Sequence, residues 1–311
     1  MEYTHSNRLD RKTRFSAVRF LAGILFLALI FLAIKSIIPN FSVPNSSIIS
    51  VETKKSQGQS LPQLEIEIKK LVGTQKGSWS IYFLDLNDVQ RRIGINENVI
   101  HRAASVNKLY VLASLYYLAA KGEIDLDETV TLSESDIQDY GTGTIRYDSP
   151  GTVYSLKTLA RLLIEKSDNT AEYILRIRIG DEKIQNLVDE FDFSQTSIAD
   201  NKTSLSDVEA LFKKIENKEI TNKAYTQEMM DFLNQTDFED RLPALLPKDA
   251  RVYHKIGNEV GNIHDVGMII KDNKKYFLGI MTSDIGDTEE EAKKTIVQIS
   301  KMVYDFEYGN N

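Results

Sequence analysis

The sequence predicts an α+β domain, one antiparallel sheet flanked by helices with an inserted helical lobe, preceded by a single N-terminal transmembrane helix. Three observations predict it. Strand-like runs stand at both ends of residues 61–311, helical patterns fill the middle, and an uncharged apolar run lies near the start of the chain. About 250 residues suffice for one catalytic unit with a large core, and no internal repeat is seen.

Residues 1–19 read as a basic cytoplasmic segment, with Arg8, Arg11, Lys12, Arg14 and Arg19 against Glu2 and Asp10. Residues 20–34 are almost wholly apolar, and a snorkelling Lys35 extends the stretch to residue 38, close to the length of about twenty that a bilayer needs. Residues 20–38 are therefore the expected membrane anchor. Positive flanks stay cytoplasmic, so the expected location is the cell membrane, single-pass, with the C-terminal domain extracytoplasmic. A cleaved signal peptide is the competing reading, but Lys35-Ser36-Ile37-Ile38-Pro39 offers no clear small-x-small cleavage site. Residues 39–60, with Pro39, Pro44 and many serines but no periodicity, read as a linker.

The whole chain carries a net charge of −7 despite its basic head, so the remainder is acidic and lacks the footprint of a nucleic-acid binder. The absence of cysteine excludes disulfides and thiolate metal sites.

Within residues 61–311 a helix is expected at 61–72, then strands at 78–86 and 92–95. A long helix follows from residue 105 to 120, ended by Gly122. Leu109, Leu112, Ala113, Tyr116, Tyr117 and Ala120 form one apolar face, and Val111, Leu115, Leu118 and Ala119 widen it beyond a surface stripe. That helix should be buried on most sides. Further helices are expected at 155–166, 170–179, 181–191, 204–215 and 226–234. Residues 251–256, 263–271 and 275–282 read as consecutive antiparallel strands, with Asp272-Asn273 as a turn. Residues 289–304 read as a closing helix with Thr288 available as N-cap.

Three short motifs carry the chemistry: Ser105-Val-Asn-Lys108, Ser167-Asp168-Asn169 and Lys255-Ile256-Gly257. A Ser and a Lys at i and i+3 share a helix face, so the amine can sit against the hydroxyl and take its proton during attack on a carbonyl. Ser105 is thus the candidate nucleophile. A plain N-cap is the structural alternative for Ser105, as capping and turn formation are for Ser167-Asp168-Asn169.

In these motifs, and in the text around them, the chain resembles the penicillin-recognising serine enzymes, whose class A β-lactamases and penicillin-binding proteins carry S-x-x-K, S-D-N and K-T-G. The resemblance covers residues 61–308. It implies that Ser105 is acylated with Lys108 as partner, and that Ser167 relays a proton to the leaving nitrogen. It further implies that Asn169 binds the substrate's amide side chain and Asp168 braces the turn. Lys255 would attract the substrate carboxylate, Gly257 would admit it close to the backbone, and the N–H of Asn258 would join that of Ser105 in the oxyanion site. The implied ligands are β-lactams or peptidoglycan peptides ending in D-Ala-D-Ala; no cofactor and no metal is implied, and protein partners are not indicated.

Two departures stand out. Ile256 replaces a Thr whose hydroxyl contacts the carboxylate in the family, so Ile256→Thr should increase acylation by penicillins. The family's E-x-x-x-N segment, whose Glu activates the deacylating water, is expected between the second and third motifs. Here the stretch from Phe191 to Asp200 runs almost directly into Asn201, so that loop reads as deleted and deacylation of a β-lactam should be slow. Glu182 and Asn186 have the spacing but fall in a helix and read as a false match.

The four histidines (His5, His101, His254, His264) show no metal-ligand spacing; His254 and His264 read as cleft-wall or strand residues. Gly141-Thr-Gly143 reads as a flexible loop, with Tyr140 a candidate for the cleft mouth. Two other functions remain open: a weak or inactive relative that binds peptidoglycan or an envelope partner, and a glutaminase- or esterase-like hydrolase.

Overall fold

The computed structural model describes residues 60–309. The expected basic segment, membrane anchor and all but the last residue of the linker lie outside the described residues. Among those described, no helix is long and apolar enough to cross a membrane.

A five-stranded antiparallel sheet forms the base of the fold. Its strands are β1 (Ser78–Asp85), β2 (Arg92–Ile95), β7 (Arg251–Glu259), β8 (Asn262–Lys271) and β9 (Lys274–Ser283), in the order β2-β1-β9-β8-β7. Alternation along the strands gives the sheet two apolar faces. Trp79, Ile81 and Phe83 of β1, with Tyr276, Leu278 and Ile280 of β9, pack with Leu64 and Ile68 of α1 (Leu61–Val72). Ile296, Ile299 and Val303 of α8 (Glu289–Tyr308) complete that layer. Phe277 and Met281 of β9, with Val266 and Met268 of β8, face the other way into the helical lobe.

The lobe is built around α2 (Lys108–Ala120), in which every residue from Lys108 to Tyr116 is buried. Burying a large apolar side chain contributes about 1.5–3 kcal/mol, so this helix is a main anchor of the core. It is wrapped by α3 (Leu156–Glu165), α4 (Asn169–Ile179), α5 (Asp181–Glu190), α6 (Leu205–Glu216) and α7 (Lys223–Asn234). Two small ribbons complete the fold: β3 (His101–Arg102) with β6 (Lys202–Thr203), and β4 (Thr129–Thr131) with β5 (Val153–Ser155).

The expected α+β architecture with a helical insertion is present, with differences that have local causes. The expected helix at 105–120 is present, with its first turn tightened: residues Ala104–Asn107 are 3-10 and the α-helical part, α2, begins at Lys108. Ala104 sits at φ +47, a left-handed turn that admits the chain to the helix, and the 3-10 turn then runs into α2 through Asn107 and Lys108, both of helical backbone. Strand β7 continues three residues past Ile256, because the two-residue turn Val260-Gly261 lets Glu259 pair with Asn262. Helix α7 starts at Lys223, where the Asn222 side chain accepts from the Tyr225 N–H, and α8 runs on to Tyr308. Thr288 precedes α8 without capping it; its hydroxyl donates to the Ile285 carbonyl instead. Asp272-Asn273 forms the expected turn, with Asp272 at φ +52.

Beneath the sheet, Nδ1 of fully buried His254 lies 2.8 Å from Asp265 Oδ1, while Asp265 Oδ2 accepts the Leu242 N–H at 2.9 Å. Arg241, 1% exposed, donates to the His264 carbonyl. These contacts fasten Arg241 and Leu242 to β8 and tie β7 to β8. Burial alone lowers the His254 imidazole, but the Asp265 carboxylate outweighs it and the group rises from 6.5 to about 9. A raised folded-state value stabilises the fold fully below pH 6.5 and stops doing so as pH rises through about 9. Wild-type unfolding free energy should therefore fall across that interval more steeply than that of His254→Asn in urea titrations. Parallel declines would contradict the pairing.

Candidate active site

The three motifs converge from three elements. Ser105 lies in the 3-10 turn before α2, Ser167-Asp168-Asn169 lies between α3 and α4, and Lys255-Ile256-Gly257 lies on β7. An open cleft of about 1010 Å³ runs beside them, lined by Ser105, Asn169, Glu172, Tyr173, Arg176 and Asn258 among others. Lys108, Ser167, Asp168 and Lys255 are not on that lining; all four are at most 1% exposed and form a buried floor.

On that floor two amines meet one hydroxyl. Lys108 Nζ lies 3.2 Å and Lys255 Nζ 2.9 Å from Ser167 Oγ. Lys108 Nζ also donates to the Ser167 carbonyl and to Asn169 Oδ1 at 2.8 Å, and pairs with Glu172 Oε2 at 3.6 Å. Among the described residues, no hydrogen bond links Lys108 Nζ to Ser105 Oγ. Burial lowers the Lys108 amine against the opposing pull of Glu172 and Asp168. Burial, then the neighbouring Lys108 charge, drives the Lys255 amine well below its ordinary range. Two desolvated ammonium groups on one hydroxyl repel each other, so the pair favours holding one neutral amine, which is what a proton acceptor requires.

The turn carrying Ser105 is shaped by its surroundings. Left-handed Ala104 precedes it, while the Ala103 N–H donates to Asn201 O at 2.8 Å. Neither the 3-10 turn nor α2 has a side-chain N-cap bond, so Ser105 is not a cap. Behind the turn, His264 accepts the Thr282 N–H at Nδ1 and its Nε2 lies 2.8 Å from the Arg102 carbonyl. Burial lowers the His264 imidazole to about 4 against the opposing Arg102 carbonyl, and an Nδ1 that accepts a backbone N–H fits a neutral ring. His254 and His264 are thus strand residues, as expected.

Gly257 has a packing reason. A Cβ there would stand 2.9 Å from Ala103 O and 2.8 Å from His264 Cδ2, so its lack of a side chain lets β7 lie against the Ser105 turn. Ile263 exchanges both its backbone bonds with the Thr282 hydroxyl, so the opposite residue Asn258 is not bonded to it and its N–H faces the open edge of the sheet. Among the described residues, Ser105 N–H likewise has no backbone acceptor. Ile256 is 3% exposed, and alternation puts it on the face of His254, opposite Lys255 and Gly257. Its influence on the cleft would thus pass through the strand backbone.

Asp168 both caps and braces. Its Oδ1 accepts the Ala171 N–H at 2.9 Å, capping α4, and its Oδ2 accepts Thr144 N at 2.6 Å and Ile145 N at 2.9 Å. The Gly141-Thr-Gly143 loop is bonded to the second motif. Thr142 Oγ1 donates to the Ser167 carbonyl, Asn169 N to the Thr142 carbonyl and Asn169 Nδ2 to the Tyr140 carbonyl. Cβ atoms at Gly141 and Gly143 would fall 2.4 Å from Asn169 Nδ2 and 2.5 Å from Asp168 Oδ2, so glycine is needed for close approach. Tyr140 lines the cleft as expected.

The connection between α5 and β6 is short and tightly folded, with Phe193 and Ile198 buried and Ser197 bridged to Lys202. Glu182 and Asn186 are exposed on α5 and off the cleft lining. Glu172 was not legible as a site residue, because it belongs to no motif. Only its position three residues after Asn169, on the same helix face, could have pointed to it.

A family model described as the beta-lactamase enzyme family matches residues 63–306. A beta-lactamase of Bacteroides uniformis is 27% identical over 280 residues, spanning 80% of this chain and 93% of that protein. The structure of PBP-A superposes with a TM-score of 0.75 at 27% identity, covering 80% of this chain and 97% of that one. A PBP-A mutant solved as an acyl-enzyme complex with penicillin G gives a TM-score of 0.74 at 26% identity, covering 80% and 98%. With more than half its length matched by that model and its three motifs gathered at one cleft, the chain belongs to the beta-lactamase enzyme family, as a class A-like serine hydrolase.

Proposed function

We propose that this protein is a membrane-anchored, extracytoplasmic serine hydrolase that forms an acyl-enzyme at Ser105 with β-lactams or D-Ala-D-Ala peptides and releases the β-lactam acyl group slowly. The observation that carries this is the meeting of Lys108 and Lys255 on Ser167 Oγ beside the cleft that Ser105 lines. The penicillin G acyl-enzyme of a PBP-A mutant supports the ligand class.

In the first step Ser105 Oγ bonds to the substrate carbonyl carbon and its proton passes to the unprotonated form of the Lys108 amine, whose Nζ swings from its bonds with Ser167 and Asn169. The oxyanion is held by the N–H groups of Ser105 and Asn258. As the C–N bond breaks, the leaving nitrogen takes the Ser167 hydroxyl proton, and Ser167 is reprotonated from the lysine pair. Lys255 draws the substrate carboxylate, and Asn169 meets the amide side chain. Water then cleaves the ester at Ser105. No Glu-bearing loop stands between α5 and β6 to activate that water, so the ester persists.

The purified protein incubated with penicillin should gain one drug mass, observed as an intact-mass shift lasting minutes or longer and absent in Ser105→Ala. An adduct gone within seconds as hydrolysed drug accumulates would contradict slow release, and no adduct would favour a non-catalytic binding module. Lys108→Ala should slow acylation by about 10²–10⁴-fold, as expected for loss of a general base. An unchanged stopped-flow acylation rate would remove Lys108 from that role. The anchor is tested by fractionating a tagged full chain: full-length protein in the membrane fraction supports retention, whereas a shortened soluble product means cleavage.

A further inference from the structure

Glu172 reaches from the cleft to the buried floor. It follows Asn169 by three residues on α4 and is 22% exposed. Its Oε2 lies 3.6 Å from Lys108 Nζ and its Oε1 3.8 Å from Arg176 of the same helix. Arg176 is itself held by Asp181 through two bonds of 2.8 and 2.6 Å, so its charge is shared. The charged groups around Lys108 are Glu172, Asp168 at the start of α4 and Lys255 on β7. Asp265 and Arg241 act on Lys255 from beneath the sheet. Both Asp168 oxygens are occupied by the backbone N–H groups of Thr144, Ile145 and Ala171. That leaves Glu172 as the carboxylate paired directly with the Lys108 amine among the described residues.

We propose that Glu172 is a positioning residue for acylation: its carboxylate holds the Lys108 side chain at the floor of the cleft and stabilises the ammonium formed when Lys108 takes the Ser105 proton. The proposal rests on Ser105 and Lys108 being the acylating pair. It places the carboxylate on α4, a different element from the loop whose absence slows deacylation.

The test is the pH dependence of penicillin acylation in the full chain, followed by stopped-flow and intact mass for wild type, Glu172→Gln and Arg176→Gln. Acylation fails as pH falls because Lys108 becomes protonated. Glu172 raises the Lys108 amine, so its neutralisation should move the acidic limb to lower pH by about one unit and lower the plateau rate several-fold. Removing the Arg176 charge should move the limb the opposite way, which keeps the test usable should Glu172→Gln melt at a lower temperature. A limb that stays in place in both variants overturns the proposal while leaving the acyl-enzyme reading intact. So does an effect confined to deacylation, which would make Glu172 a water activator instead. Absence of any adduct on wild type would remove both together.

Discussion

Two lysine amines from opposite sides of the cleft meet on the hydroxyl of Ser167, and the rest of the site is arranged around keeping them there. Lys108 arrives from the first turn of α2 and Lys255 from the edge strand β7, both at most 1% exposed. Two buried ammonium groups beside one hydroxyl are costly, and that cost makes one of them available as a base. The carbonyl of Ser167, the Asn169 amide and Glu172 offset the remaining charge. Ser167 itself is held at φ +50, a strained setting that the Asp168 cap and the Gly141–Gly143 clamp enforce.

The fold supplies the rigidity that this arrangement needs. α2 is buried almost all round, so the backbone that carries Lys108 is fixed. β7 is fixed from beneath by the His254–Asp265 pair and from above by the contact of Gly257 with Ala103. The bonding of Ile263 to the Thr282 hydroxyl leaves the Asn258 N–H at the free edge of the sheet, and Asn258 and Ser105 line the same cleft. The short connection after α5 ties into the back of that turn through Asn201, and the helix face bearing Glu172, Tyr173 and Arg176 lines the cleft.

Much of this was legible from residues alone. The five strands of the main sheet and the buried helix follow from apolar patterning and from an unusually wide apolar face, and the three motifs name Ser105, Ser167 and Lys255 directly. What was hidden depends on tertiary contact. The two-residue strands β3 and β6 carry no pattern of their own and exist because the Ala103 and Asn201 backbones meet. Gly141 and Gly143 suggest freedom by composition, yet they are glycines because Asn169 and Asp168 occupy the space of their side chains. Ala104 gives no sign of its left-handed turn, nor does the sequence show that the first turn of the helix is 3-10. Glu172 gains meaning only when Lys108 is seen beside it.

The central claim is that Lys108 and Lys255 do not both carry a full proton at neutral pH. Direct titration of their side chains by NMR in lysine-labelled protein, with Lys108→Arg and Lys255→Arg used for assignment, measures this without reference to any substrate. One of the two should show the shift of a neutral amine well below the ordinary lysine value of 10.5. If both remain ammonium groups up to that value, the floor of the cleft holds two fixed cations and no base, and the acylation mechanism described for Ser105 fails.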